Sequence, residues 1–102
     1  MERVLSRRVE FRGRSGAAYS FLRLDGEAAL RPIGVTYVIA DGGEQVWRLL
    51  SVGHSNNFAE KSWTLRLAEV RREYPSAEIF IRLNINRSIR EAEAADLEQL
   101  VG

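Results

Sequence analysis

The sequence predicts an α+β domain in which a small mixed sheet is flanked by helices. Two observations carry that prediction. Runs of alternating or β-branched apolar residues, divided by glycine-containing turns, fill most of the chain as far as Val52. Beyond them, two stretches with helical spacing bracket one further apolar run. A length of 102 residues suits one domain with a single modest core that needs no staples. The element order is ββ followed by ββαβα.

Residues 7–12 alternate polar and apolar side chains and predict a strand. Gly13 to Gly16 is a turn. Residues 18–24 alternate again and return as the second strand of a hairpin. Asp25-Gly26 breaks the pattern, and the segment to Pro32 reads as a loop or short helix. Residues 1–32 therefore form an N-terminal hairpin extension, and residues 33–102 form the core. Residues 33–40 are a nearly continuous β-branched apolar run, as expected of a strand buried on both faces. Asp41-Gly42-Gly43 is a hairpin signal. Residues 46–52 are the partner strand, ending at Gly53.

Ser55, Asn56 and Asn57 are helix N-cap candidates. Ala59, Trp63, Leu67, Val70 and Tyr74 follow at spacings of four, four, three and four, a helical stripe that Pro75 stops. Trp63 belongs to the core on this reading, whereas Trp47 suits either face. Arg66, Arg71 and Arg72 interleave with Glu69 and Glu73, as on a solvated helix face. Residues 78–83 are another strand. Ser88 and Glu91 fit a capping box, and the last helix runs from Ile89 to about Val101. At about 100° per residue, Ile89, Glu93, Leu97 and Leu100 share a stripe. A carboxylate amid apolar residues is costly unless it is paired or reaches a cleft. Glu93 therefore either pairs with an arginine, such as Arg66 or Arg82, or serves as a ligand.

Composition excludes several chemistries. The chain has no cysteine, which removes disulfides, thiolate metal sites and cysteine nucleophiles. His54 is its one histidine, so a multi-histidine metal site cannot form within one chain. The first residues lack the apolar stretch of a signal peptide, and no apolar run approaches the ~20 residues of a membrane helix. The expected setting is the cytoplasm, with no membrane partner and a monomer favoured. Net charge is +1, so no overall field draws in nucleic acid. The charge is uneven, though: residues 1–31 hold seven arginines against four acids, and residues 91–102 hold four acids and no base. Lys61 is the one lysine. A G+C-rich bacterial genome produces such a bias, and phosphate recognition by guanidinium forks is the functional alternative. Arg12, Arg14, Arg23 and Arg66 are the candidate nucleic-acid contacts.

Gly34-Val35-Thr36-Tyr37, Leu50-Ser51-Val52-Gly53 and the polar turn from His54 to Phe58 resemble the motifs of the GIY-YIG nuclease domain. The resemblance spans residues 33–101, and residues 18–24 are similar to the N-terminal strand of small bacterial members. It implies a strand bearing Gly-Ile-Tyr, a hairpin partner ending in Tyr-Ile-Gly, a helix bearing an arginine, a third strand, and a helix bearing a metal-binding glutamate. Carried over residue by residue, the first tyrosine corresponds to Tyr37, which in the family helps activate the attacking water. The second falls on Ser51, which has a hydroxyl but no phenol. The arginine falls on Lys61, which keeps the charge and loses the bidentate fork. The glutamate falls on Ala94, or on Glu93 after a one-residue shift.

His54 follows the second motif directly. It suits a general base or phosphate donor, or a turn histidine bonding the backbone. No acid orients it, so a hydrolase triad with Ser51 is rejected. Two functions are expected. The first is a non-catalytic or weakly active GIY-YIG-like domain, without a cofactor, that binds nucleic acid or a protein partner. The second is an active endonuclease or phosphodiesterase with a rearranged site of Tyr37, His54, Lys61 and Glu93, using Mg²⁺ or Mn²⁺.

Overall fold

The computed structural model describes residues 8–24, 34–42, 47–60 and 63–101. Five strands form one sheet: β1 (Arg8–Arg12), β2 (Ala18–Arg23), β3 (Val35–Asp41), β4 (Arg48–Ser55) and β5 (Glu78–Leu83). Helix α1 (Trp63–Glu73) connects β4 to β5, after a 3-10 turn at Phe58–Glu60, and α2 (Arg87–Glu98) follows β5. The class is α+β. The loop after Asp25, Gly43 of the second hairpin signal and Lys61 lie outside the described residues. No helix among the described residues is long and apolar enough to cross a membrane.

The order across the sheet is β1-β2-β5-β3-β4, and every neighbouring pair is antiparallel. The expected mixed sheet is thus corrected to an antiparallel one. The cause is where the crossing connections land. β2 and β3 run parallel to each other, but β5 lies between them. β4 and β5 also run parallel, with β3 between.

Strand alternation divides the core into two layers. Val38 and Ala40 of β3 pack with Phe11, Phe21, Phe80 and Leu97 on the α2 side. Val35 and Ile39 pack with Phe58, Trp63, Ala77 and Ile79 on the α1 side, where Tyr37, Leu67 and Val70 also lie. β3 is covered on both faces, which is why its sequence is almost continuously apolar. A register shift between Ile39 and Ala40 pairs them with Ser51 and Leu49, leaving Leu50 as the extra residue of a bulge. Trp63 stacks on Phe58 at 5.0 Å and donates from Nε1 to the Phe58 carbonyl at 3.2 Å. Trp47 sits on the other face, edge-on to Phe80 at 4.8 Å.

Two helix starts differ from expectation. Ser55 and Asn57 bond their own turn, with the Ser55 hydroxyl accepting from Asn57 N–H and Asn57 Oδ1 from Ala59 N–H. They cap the 3-10 turn, so Ala59 is exposed on it rather than buried in the helical stripe. In α2 the capping box of Ser88 and Glu91 does not form. Asn86, in extended backbone, accepts from Ile89 N–H at 3.1 Å and starts the helix two residues earlier. Glu91 instead takes Arg87 Nε at 2.9 Å.

The β1–β2 turn is tied to α2 by Asp96. Its carboxylate accepts from Ser15 N–H (2.8 Å), the Ser15 hydroxyl (2.7 Å) and the Tyr19 hydroxyl (2.8 Å). Gly13 is required here because the Asp96 carboxylate occupies the space of a Cβ. The Ser15 hydroxyl and N–H, then Tyr19, hold Asp96 below the usual carboxylate range. The bond to Asp96, with burial second, raises Tyr19. Asp96 therefore stabilises the fold above its unfolded value of about 3.9, and this is lost as pH falls through the lower folded value. Tyr19 contributes below its unfolded value of about 10, and this is lost as pH rises through the folded value. Asp96→Asn is expected to flatten the acid limb of the stability profile and to bring Tyr19 ionisation back down. Urea midpoints against pH and an ultraviolet tyrosinate titration check both. An unchanged Tyr19 titration would rule the contact out.

Candidate functional site

Beneath α2 the sheet presents two polar layers and then an apolar one. The polar layers hold the chemistry-bearing side chains. Thr36 of β3 is opposite His54 of β4 and Arg82 of β5, so the three form one row across the sheet. Glu93 reaches down to that row from α2. Its Oε1 accepts from the Thr36 hydroxyl at 3.3 Å, and its Oε2 meets Arg82 Nε at 3.2 Å. Glu93 is 6% exposed and Thr36 fully buried. A carboxylate placed so deep needs both partners. Of the two arginines the sequence offered it, the structure selects Arg82; Arg66 points elsewhere and meets Glu69 at 3.9 Å.

One turn earlier, Arg90 is 2% exposed. Its Nη1 donates to the Asn84 carbonyl at 2.7 Å, and its Nη2 donates to Asn56 Oδ1. Asn84 N–H in turn donates to the Gly34 carbonyl at 3.0 Å. Arg90 thus joins the start of β3 to the ends of β4 and β5. The guanidinium lies where a Gly34 side chain would be, and the Asn84 carbonyl is 2.9 Å from that point. Gly34→Ala is expected to cost about 2 kcal/mol, the range for overpacking. The penalty should shrink in an Arg90→Ala background, as a coupled pair requires. Urea midpoints of the four chains measure it, and strict additivity would refute the contact. Gly53 has a matching reason: the Tyr37 phenol lies across it.

The sequence candidates divide between the two faces. Tyr37 and Ser51 share the α1 side, since Ser51 is opposite Ile39 and Gly53 opposite Tyr37. His54 and Glu93 share the α2 side. The structure therefore does not bring Tyr37 and Glu93 together. Lys61 lies outside the described residues. His54 is partly buried and its Nδ1 has no hydrogen-bond partner among the described residues. Ala94 is buried beside Glu93 on α2, so both alignments of the glutamate meet this interface.

The stripe assigned to α2 is corrected as well. Ile89 and Leu100 are 46% and 44% exposed, and the buried face is Arg90, Glu93, Ala94 and Leu97. Arg90 and Asn84 were missed because an apolar search passes over them. The spacing of Arg90, Glu93 and Leu97, three and then four, held the signal. The four arginine candidates each have an internal partner: Arg12 the Gly16 carbonyl at 2.8 Å, Arg14 Gln99 Oε1 at 3.2 Å, Arg23 Glu78 at 3.4 Å, and Arg66 Glu69. Arg66 is on α1, whereas Arg23 shares the opposite face with Phe80.

No family model, curated protein or solved structure matches the chain.

Proposed function

We propose that this domain is a non-catalytic, GIY-YIG-like module that acts by binding a protein. The observation that carries the reading is the state of Glu93. Its two oxygens are taken by Arg82 and Thr36 inside the α2–sheet interface. A metal ligand would need those oxygens free for the cation. The alternative alignment puts the methyl group of Ala94 at the same position. Both alignments therefore leave no available carboxylate at the glutamate position.

Strand parity extends the loss. Tyr37, which matches the first tyrosine, lies on the α1 side of the sheet, and the β3 residue that faces Glu93 is Thr36. A serine and a lysine stand where the family has its second tyrosine and its arginine. Groups that act as one catalytic unit are far from additive, so several losses together leave little activity. The active-nuclease alternative requires Tyr37, His54, Lys61 and Glu93 to meet, and it has no support from a sheet that lies between Tyr37 and Glu93. A protein partner is favoured over nucleic acid because the candidate arginines are engaged within the fold and on different elements.

The test is a cleavage assay on duplex and single-stranded DNA with Mg²⁺ and Mn²⁺, beside Glu93→Gln and Tyr37→Phe. No metal-dependent cleavage is expected. Cleavage abolished by both substitutions would overturn the reading. Binding to DNA and RNA is measured in parallel against salt. Affinity that falls steeply with salt marks phosphate contacts and would replace the protein partner with nucleic acid.

A further inference from the structure

The sheet does not close along its whole length. β1 and β2 pair from Arg8 to Arg12, and β3 and β5 pair as far as Leu83. Between those halves β2 and β5 pair at Leu22 with Ile81 and Arg23 with Phe80, and Leu24 N–H donates to the Ile79 carbonyl at 2.9 Å. Beyond Ile81 the halves splay apart. An open groove of about 220 Å³ occupies the mouth, lined by Arg8, Ser20, Leu22, Ile81, Arg82 and Leu83.

The floor is apolar and exposed: Leu22 is 37% and Leu83 53% accessible. The polar wall is cationic. Arg8 Nη1 donates to the Ser20 hydroxyl at 3.1 Å, and Arg82 Nη1 donates to the Ser20 carbonyl at 3.2 Å. Two guanidinium groups thus converge on one residue. Arg82 shares its charge with Glu93. Among the described residues, Arg8 has no ion pair and no carboxylate lines the groove. The volume matches roughly seven waters at about 30 Å³ each, below the range of about 300–1,000 Å³ for drug-sized ligands. It fits one large aliphatic side chain with an anionic head.

We propose that this groove captures the free carboxyl terminus of a partner protein that ends in a large apolar residue. The proposal rests on the protein-binding reading above and names its site. The terminal carboxylate takes charge-assisted hydrogen bonds from Arg8 and the Ser20 hydroxyl. The last side chain covers Leu22 and Leu83. Past Ile81, the Leu83 backbone faces the β2 side without a strand partner among the described residues, so the peptide bond preceding the terminal residue can hydrogen-bond it there. That edge favours a chain terminus over a free acid.

The probe is a dye-labelled peptide of sequence Gly-Ser-Gly-Ser-Gly-Leu with a free carboxylate, followed by fluorescence anisotropy on the full chain. Its carboxamide should bind at least about tenfold more weakly, the value of one charge-assisted bond. Arg8→Gln and Leu83→Ser should each weaken the free acid by about fivefold or more. Both residues are exposed, and urea midpoints confirm that the variants fold. The acid–amide comparison needs no variant and stands alone if one misfolds. Equal binding of acid and amide, or no binding of the acid up to millimolar protein, overturns the proposal. N-acetyl-leucine competing as tightly as the peptide also overturns it and assigns the groove to a free acid. Peptide failure without nuclease activity or salt-sensitive nucleic-acid binding removes this site and leaves the protein-binding reading intact.

Discussion

Glu93→Ala is expected to lower the stability of the fold by about 3 kcal/mol, near the bottom of the range for breaking a buried ion pair. Arg82 loses its counter-charge. Arg82 keeps a side chain 34% exposed, so water recovers part of its loss. The Thr36 hydroxyl is also left without its acceptor. Glu93→Gln keeps the shape and the Thr36 bond but not the charge, and should cost about half as much. Urea unfolding with an unchanged slope is the measurement. The rival view of Glu93 predicts the opposite sign. A carboxylate kept for a cation destabilises the unloaded fold, so its removal would leave the midpoint unchanged or raise it. That result would sink the structural assignment and revive the nuclease.

The second large effect belongs to Phe80. Phe80→Ala is expected to cost about 4 kcal/mol, within the range of about 3–5 for a buried phenylalanine. Its ring is fully buried and meets Phe11 edge-on at 5.2 Å and Trp47 at 4.8 Å. Such aromatic pairs contribute beyond the area they bury. Phe11 in turn meets Phe21 at 5.5 Å. Phe80 is therefore where the first hairpin, β5 and Trp47, the residue leading into β4, share side chains. Its loss opens a cavity that no single neighbour can fill. Total stability for a domain of this size is about 5–15 kcal/mol, so the variant should lie near the edge of folding. Tryptophan fluorescence follows it directly, since Trp47 borders the cavity. Hairpin and core should unfold in one transition. A cost below about 1.5 kcal/mol, or two separate transitions, would refute this role for Phe80.

Much of the fold was legible because its signals are local. β5 runs from Glu78 to Leu83 as the alternation places it, and β2 ends one residue sooner, at Arg23. Gly13, Gly16 and Pro75 punctuate those runs, so boundaries follow from backbone chemistry. The start of α2 was misplaced because two caps compete within three residues. Ser88 completes a sequence pattern, but Asn86 holds the extended conformation that lets its oxygen reach the third N–H. The candidate site was less legible. A strand presents alternate residues to opposite faces, and a slip of one position exchanges them. Thr36 and Tyr37 are neighbours in a motif and are separated by the sheet in space.

The sequence by itself determined the α+β class, the five strands and two α-helices of the described residues, the absence of thiol and multi-histidine chemistry, and the choice facing Glu93. These depend on residue type and on spacing within a dozen residues. Tertiary structure alone decided the strand order, the antiparallel pairing, the faces of Tyr37 and Glu93, and the selection of Arg82 over Arg66. It also placed Arg90 against Gly34. Each of these joins residues distant in the chain, and each is set by which apolar face finds cover. The composition of a single segment carries no record of that.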